Sequence, residues 1–297
     1  MRWLGGRESS NIEDRRGVGV ARGVGIGGIG TVAIVLIGLF LGVDPSILLD
    51  MVGGDPAPQT QTGRPGDPGY GSSAAPRSAA DDQTRQFVSV VLADTEDVWR
   101  QAFGDMGRSY EEPKLVLYSR AVESACGMAS SASGPFYCPR DHKVYLDLSF
   151  FEDMRRKLNA PGDFAQAYVI AHEIGHHVQN ELGILETANA ERERSDKRRS
   201  NAISVRIELQ ADCIAGVWAN RANRMRQILE QGDIEEGLNA ASAVGDDRLQ
   251  RQARGVVVPD AFTHGSSAQR MHWFKTGLQS GSLKSCDTFA AADLGGG

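Results

Sequence analysis

The chain has 297 residues, of which 41% are hydrophobic and 24% charged, with a net charge of −6 and a pI near 5.6. This length supports a domain with a sizeable core plus smaller appended segments. The acidic balance gives no electrostatic case for a nucleic-acid partner, and there is no internal repeat.

Residues 1–22 form a polar leader with five arginines, Arg2, Arg7, Arg15, Arg16 and Arg22. From Gly23 to Val43 no charged residue occurs, and Thr31 to Leu41 is plainly apolar. At 1.5 Å per residue this run reaches about 31 Å, the span of one transmembrane helix. No Lys or Arg follows from Asp44 to Gly63. The positive-inside rule then keeps the N-terminus in the cytoplasm and sends the remainder outward, as in a single-pass protein of a bacterial inner (plasma) membrane. A cleaved signal peptide is the rival reading, but the leader is long and no small-x-small site follows Val43 directly. Gly38 and Gly42 make a GxxxG pair suited to helix pairing. Residues 44–82 mix Pro, Gly, Ser, Gln and Thr, a flexible tether unable to bury much surface.

Residues 83–297 are then the domain. Phe87, Val88, Val91, Leu92, Val98 and Trp99 fit an amphipathic helix, and residues 114–118 and 143–147 fit short strands. Cys126 and Cys138 flank a Ser/Gly/Pro-rich loop where a disulfide would sit well. Val144, Tyr145 and Leu146 precede the most informative segment, so they are candidates for an edge strand pairing with extended substrate; a purely structural strand is the alternative.

That segment is His172-Glu173-Ile174-Gly175-His176, an HEXXH motif. Ala167, Ile170, Ala171, Ile174 and Val178 recur at helical spacing, with Pro161-Gly162-Asp163 as a start signal and Gly183 as a stop. Residues four apart share a helix face, so His172 and His176 can grip one metal ion. Glu173 is placed to take a proton from a water that the metal activates. The cofactor expected is Zn2+ and the substrate a peptide or protein. His177, beside a ligand position but off its face, is read as packing or solvent-facing. Residues 191–199 mix both charge signs and read as a solvated helix or loop.

Two histidines need a third protein ligand. Gln179 and Leu182 stand where a metzincin would carry Gly and His, which argues against that class. Ile203, Ile207, Ala211, Ile214 and Trp218 suggest a second helix, carrying Glu208 and Asp212 four apart. HEXXH followed by E-x-x-x-D resembles the gluzincin metallopeptidases. That resemblance implies that Glu208 is the third ligand and that Asp212 orients a ligand histidine through its N–H. A donor for the developing oxyanion is expected from His264, Arg270 or His272, with His264 preferred. Cys213 follows Asp212 directly and pairing with Cys286 would tie down the C-terminal tail; four cysteines allow three connectivities, and free buried thiols are the alternative.

The chain resembles the YpfJ-like family of neutral zinc metallopeptidases. The likeness lies in the leader from Met1-Arg2-Trp3 to Arg16, in Cys126-Gly127 with Gly134 to Pro139, in Val144 to Asp147, in the HEXXH helix, and in Glu208 to Cys213. The family's Ser-Glu-Gln-Arg run departs here, with Ala268 in the place of Glu. The resemblance implies a membrane-anchored zinc peptidase-like domain. The fold expected is α+β, a mostly helical zincin-like domain with a small sheet, helical over 163–182, 201–230 and 267–279. Two other readings stand beside it: an anchored, non-hydrolytic binding or assembly protein with a structural zinc, and a zinc hydrolase of cell-wall peptides.

Overall fold

A computed structural model describes residues 1–17 and 79–295. The anticipated anchor at 23–43 and nearly all of the tether lie outside them. Among the described residues no helix is long and apolar enough to cross a membrane.

A four-stranded sheet has the order β1 (Ile12–Asp14), β2 (Lys114–Tyr118), β6 (Lys143–Asp147), β5 (Phe136–Cys138). The β1–β2 and β2–β6 pairs are parallel, and β5–β6 is antiparallel. A separate hairpin joins β3 (Ala121–Ser124) to β4 (Gly127–Ser130). Successive side chains of a strand face opposite sides, so Leu115, Leu117, Val144 and Leu146 enter the main core. Val116, Tyr118 and Tyr145 fill a smaller cluster with Cys138. The Cys126–Cys138 disulfide closes that second layer.

The helices are α1 (Ala79–Asp105), α2 (Ser149–Arg156), α3 (Asp163–Glu181), α4 (Ile184–Glu193), α5 (Lys197–Arg226), α6 (Asp233–Ala243), α7 (Asp246–Arg254) and α8 (Ser267–Ser280). The mostly helical α+β class therefore holds. Trp99, Phe103, Phe164, Trp218 and Phe274 are fully buried where α1, α3, α5 and α8 meet. α5 starts on an Asp196 cap that accepts the Arg199 amide at 2.8 Å, and α8 on a Ser266–Gln269 capping box.

Two close approaches set the site. A Cβ on Gly175 would lie 2.9 Å from the carbonyl oxygen of Ala211, so only glycine lets α3 meet α5 here. A Cβ on Gly277 would strike the Cys213 carbonyl, which fixes α8 against α5. The Cys213–Cys286 disulfide joins the same helix to the tail.

Two sequence expectations change. Residues 1–17 are not a leader apart from the domain: β1 is a strand of its sheet, Met1 is buried, and α1 already includes Ala79, ahead of residue 83. The strand 143–147 is not an edge. Both sides of β6 are paired and Val144, Tyr145 and Leu146 are each 1% exposed, so none can pair with substrate. The sheet edge on that side belongs to β5.

Candidate metal centre

α3 supplies His172, Glu173 and His176, and α5 supplies Glu208 and Asp212. Helical spacing puts each set on one face, and the Gly175–Ala211 approach brings the faces together. One ligand atom each from His172, His176 and Glu208 lie within 4.8 Å of one another. The His172 Nε2 is 3.2 Å from Glu208 Oε2, and the His176 Nε2 is 3.6 Å from Glu208 Oε1.

The outer nitrogens explain why both Nε2 atoms face inward. His172 Nδ1 is 2.8 Å from Asp212 Oδ1, and His176 Nδ1 is 2.9 Å from Gln179 Oε1. Gln179 is held in that orientation because its amide donates to the Ile207 carbonyl at 2.8 Å and to Gln210 Oε1 at 2.9 Å. Both Nδ1 atoms therefore face acceptors and carry the proton, leaving the Nε2 lone pairs free to ligate. The donor set fits Zn2+: two imidazoles and one carboxylate, with the fourth position left to solvent or substrate.

Asp212 is wholly buried and needs compensation. Arg270 of α8 provides it with Nε to Oδ2 at 2.8 Å and Nη2 to Oδ1 at 2.9 Å, and the Tyr168 hydroxyl donates at 2.5 Å. Burial opposes the Asp212 charge, but Arg270 and His172 override it and hold the carboxyl at about 2. Burial likewise opposes charge on His172, and Asp212 outweighs it, raising the imidazole to about 10. Glu208 is held well below its usual range by His176 and His264, against the cost of its burial. The site thus favours positive charge between its ligands, which a divalent cation satisfies in place of a proton. Glu173 differs: burial pushes its carboxyl up, against the pull of His172 and His176.

His264 is exposed, and it lies close enough to Glu208 and Asp246 for their charges to raise its pKa. Its Nδ1 is 3.2 Å from Asp246 Oδ1, and Asp246 also accepts the backbone amides of Thr263, His264 and Gly265. Arg270 is committed to Asp212, and His272 packs edge-on against Trp273. Sequence reasoning missed Tyr168, Gln179 and Asp246. Gln179, one turn beyond His176, and Tyr168, one turn before His172, left a spacing signal on the same helix; Asp246 left none.

His177 is fully buried between Tyr110 and Tyr137, with Nδ1 3.0 Å from the Tyr137 hydroxyl and Nε2 2.6 Å from the Glu111 carbonyl. Burial pulls its pKa from 6.5 to about 4. Below 6.5 the unfolded chain takes up the proton first, so this stability is present above that pH and is lost as pH falls toward 4. The full loss approaches about 3 kcal/mol. The unfolding midpoint of the His177→Gln variant is expected to fall less steeply than that of the parent between pH 7 and 4.5. Equal slopes would remove His177 from the account.

Two helices set an HEXXH motif against Glu208 and Asp212, and His172, His176 and Glu208 form a group that could hold a metal ion. A family model described as "Putative neutral zinc metallopeptidase" matches residues 1–289, and the chain belongs to that family. It is 48% identical over 298 aligned residues to "Uncharacterized protein YpfJ" of Escherichia coli (strain K12), covering 97% of this chain and 99% of the relative. It is 40% identical to "Uncharacterized protein Rv2575" of Mycobacterium tuberculosis, covering 86% of each. No solved structure matches.

Proposed function

We propose that the protein is a zinc-dependent peptidase with His172, His176 and Glu208 as the metal ligands. The observation that carries this reading is Glu173, a buried carboxyl beside the three donors. A zinc that only braced the fold would need no general base there. When bound, Zn2+ supplies a Lewis acid for the scissile carbonyl and lowers the pKa of the attacking water to about 7.

The chain's own groups do the rest. Glu173 accepts the proton of the attacking water and passes it to the leaving amine; its raised pKa suits both halves of that transfer. Asp212 and Gln179 hold the two imidazoles in register, and Arg270 with Tyr168 keeps Asp212 ionised and fixed. His264, with Nδ1 turned to Asp246, offers its other ring N–H to the oxyanion. His264→Ala is expected to lower kcat by about 10²- to 10³-fold with little change in KM. Steady-state kinetics on a peptide that the parent cleaves checks this, and an unchanged kcat removes the role.

The Cys126–Cys138 and Cys213–Cys286 disulfides support an oxidising, extracytoplasmic location. The charge-free run 23–43, outside the described residues, supports attachment to a membrane.

The full chain should be assayed on a broad peptide library with chelator and with zinc restored. Cleavage lost to the chelator and regained with zinc supports the proposal. Zinc bound without cleavage would instead favour an anchored binding protein with a structural metal. Cleavage confined to cell-wall peptides would narrow the substrate to those crosslinks.

A further inference from the structure

Residues 1–17 are bonded to the domain at several independent points. β1 runs parallel to β2 in the register Ile12–Leu115, Glu13–Val116 and Asp14–Leu117. Arg7 donates to the Ala93 carbonyl at 2.7 Å and to Glu96 at 3.0 Å. Ser9 and Asn11 both donate to Glu96 as well, at 2.5 and 2.9 Å. Glu96 is 1% exposed, so three side chains of the leader satisfy a carboxylate buried in α1. From the domain side, Lys143 of the central strand reaches Glu13 at 2.9 Å.

The last described residues of the leader also lie beside the start of α1. Arg16 bonds the Asp81 carbonyl at 3.5 Å, and Arg85 lies 3.7 Å from Asp14. Arg16, Gly17, Ala80 and Thr84 border one cavity of about 640 Å³.

We infer that the leader and the domain carrying the candidate metal centre occupy the same aqueous compartment. A strand cannot pair with β2 from across a bilayer. A single crossing between them, which the positive-inside rule predicts, is excluded: the chain either does not cross or crosses an even number of times. Four of the five arginines behind that rule are also paired within the fold, and Arg22 lies outside the described residues. Arg2 pairs with Glu230, Arg7 with Glu96 and Asp97, Arg15 with Glu13, and Arg16 with Asp14. These arginines serve the fold and do not report a cytoplasmic face. If the disulfides mark an oxidising compartment, the leader is in it too.

Exposed positions make the test direct. Leu4 is 78% exposed and Ser10 is exposed in the leader, while Val256 and Met128 of the domain are 65% and 54% exposed. Each is replaced singly by Cys in the full chain, and intact spheroplasts are treated with a membrane-impermeant maleimide before and after permeabilisation. The expected result is one response at all four positions, labelled in both states or only after permeabilisation. Leader positions labelling oppositely to domain positions would overturn the inference. Two positions in each part guard against one substitution disturbing the fold. The result does not depend on peptidase activity, so it stands or fails separately from the zinc reading.

Discussion

Glu173→Gln is expected to keep the fold and the bound zinc and to lower peptide hydrolysis by about 10²- to 10⁴-fold. The amide matches the carboxyl in size, so the buried position beside His172 and His176 stays filled. It cannot accept a proton, and the attacking water then has no base. The ligands are untouched, so metal content measured by elemental analysis should equal that of the parent. The decisive measurement is kcat/KM on a peptide that the parent cleaves. Substantial activity in this variant would remove Glu173 from the mechanism; lost zinc would make it a structural residue.

The second large effect is on stability. Arg270→Met leaves the fully buried Asp212 carboxylate with only His172 to balance it, which costs about 3 kcal/mol. At this chain length that lowers the unfolding midpoint by about 10 °C. It should be measured on metal-free protein, because bound zinc stabilises by mass action and would mask part of the loss. Adding Asp212→Asn removes the stranded charge, so the double variant should lose less than the sum of the single losses. Additive losses would mean that the Arg270–Asp212 pair contributes little. Zinc affinity should fall as well, by about 10- to 100-fold in Asp212→Asn, because His172 loses its orienting acceptor.

The site was more legible than the frame around it. His172, Glu173 and His176 are fixed by local helical spacing, and Glu208 with Asp212 repeats that signal on a second helix. Residues 114–118 and 143–147 were readable as strands because their apolar side chains are dense. Nothing local says whether a strand is central or at an edge, since that depends on partners elsewhere in the chain. Hence Val144, Tyr145 and Leu146 could be read either as a substrate-pairing edge or as a structural strand, and the second holds. β1 left almost no signal: three residues, two of them acidic, pair with a strand 103 positions further on (Ile12 with Leu115). Asp246 is similar, because its hold on His264 comes from a turn of the chain and not from any pattern.

The hydrogen bonds behind His176 reach further than the metal centre. Gln179 fixes that imidazole and is itself held by Gln210, whose amide donates to the Cys286 carbonyl at 2.9 Å. Cys286 stays in place because its sulfur is bonded to Cys213, one residue after Asp212. A thiol reductant that opened this bond would loosen only the far end of the relay, since Gln179 keeps its bond to the Ile207 carbonyl at 2.8 Å. The tail crosslink thereby stands three hydrogen bonds from the His176 ring.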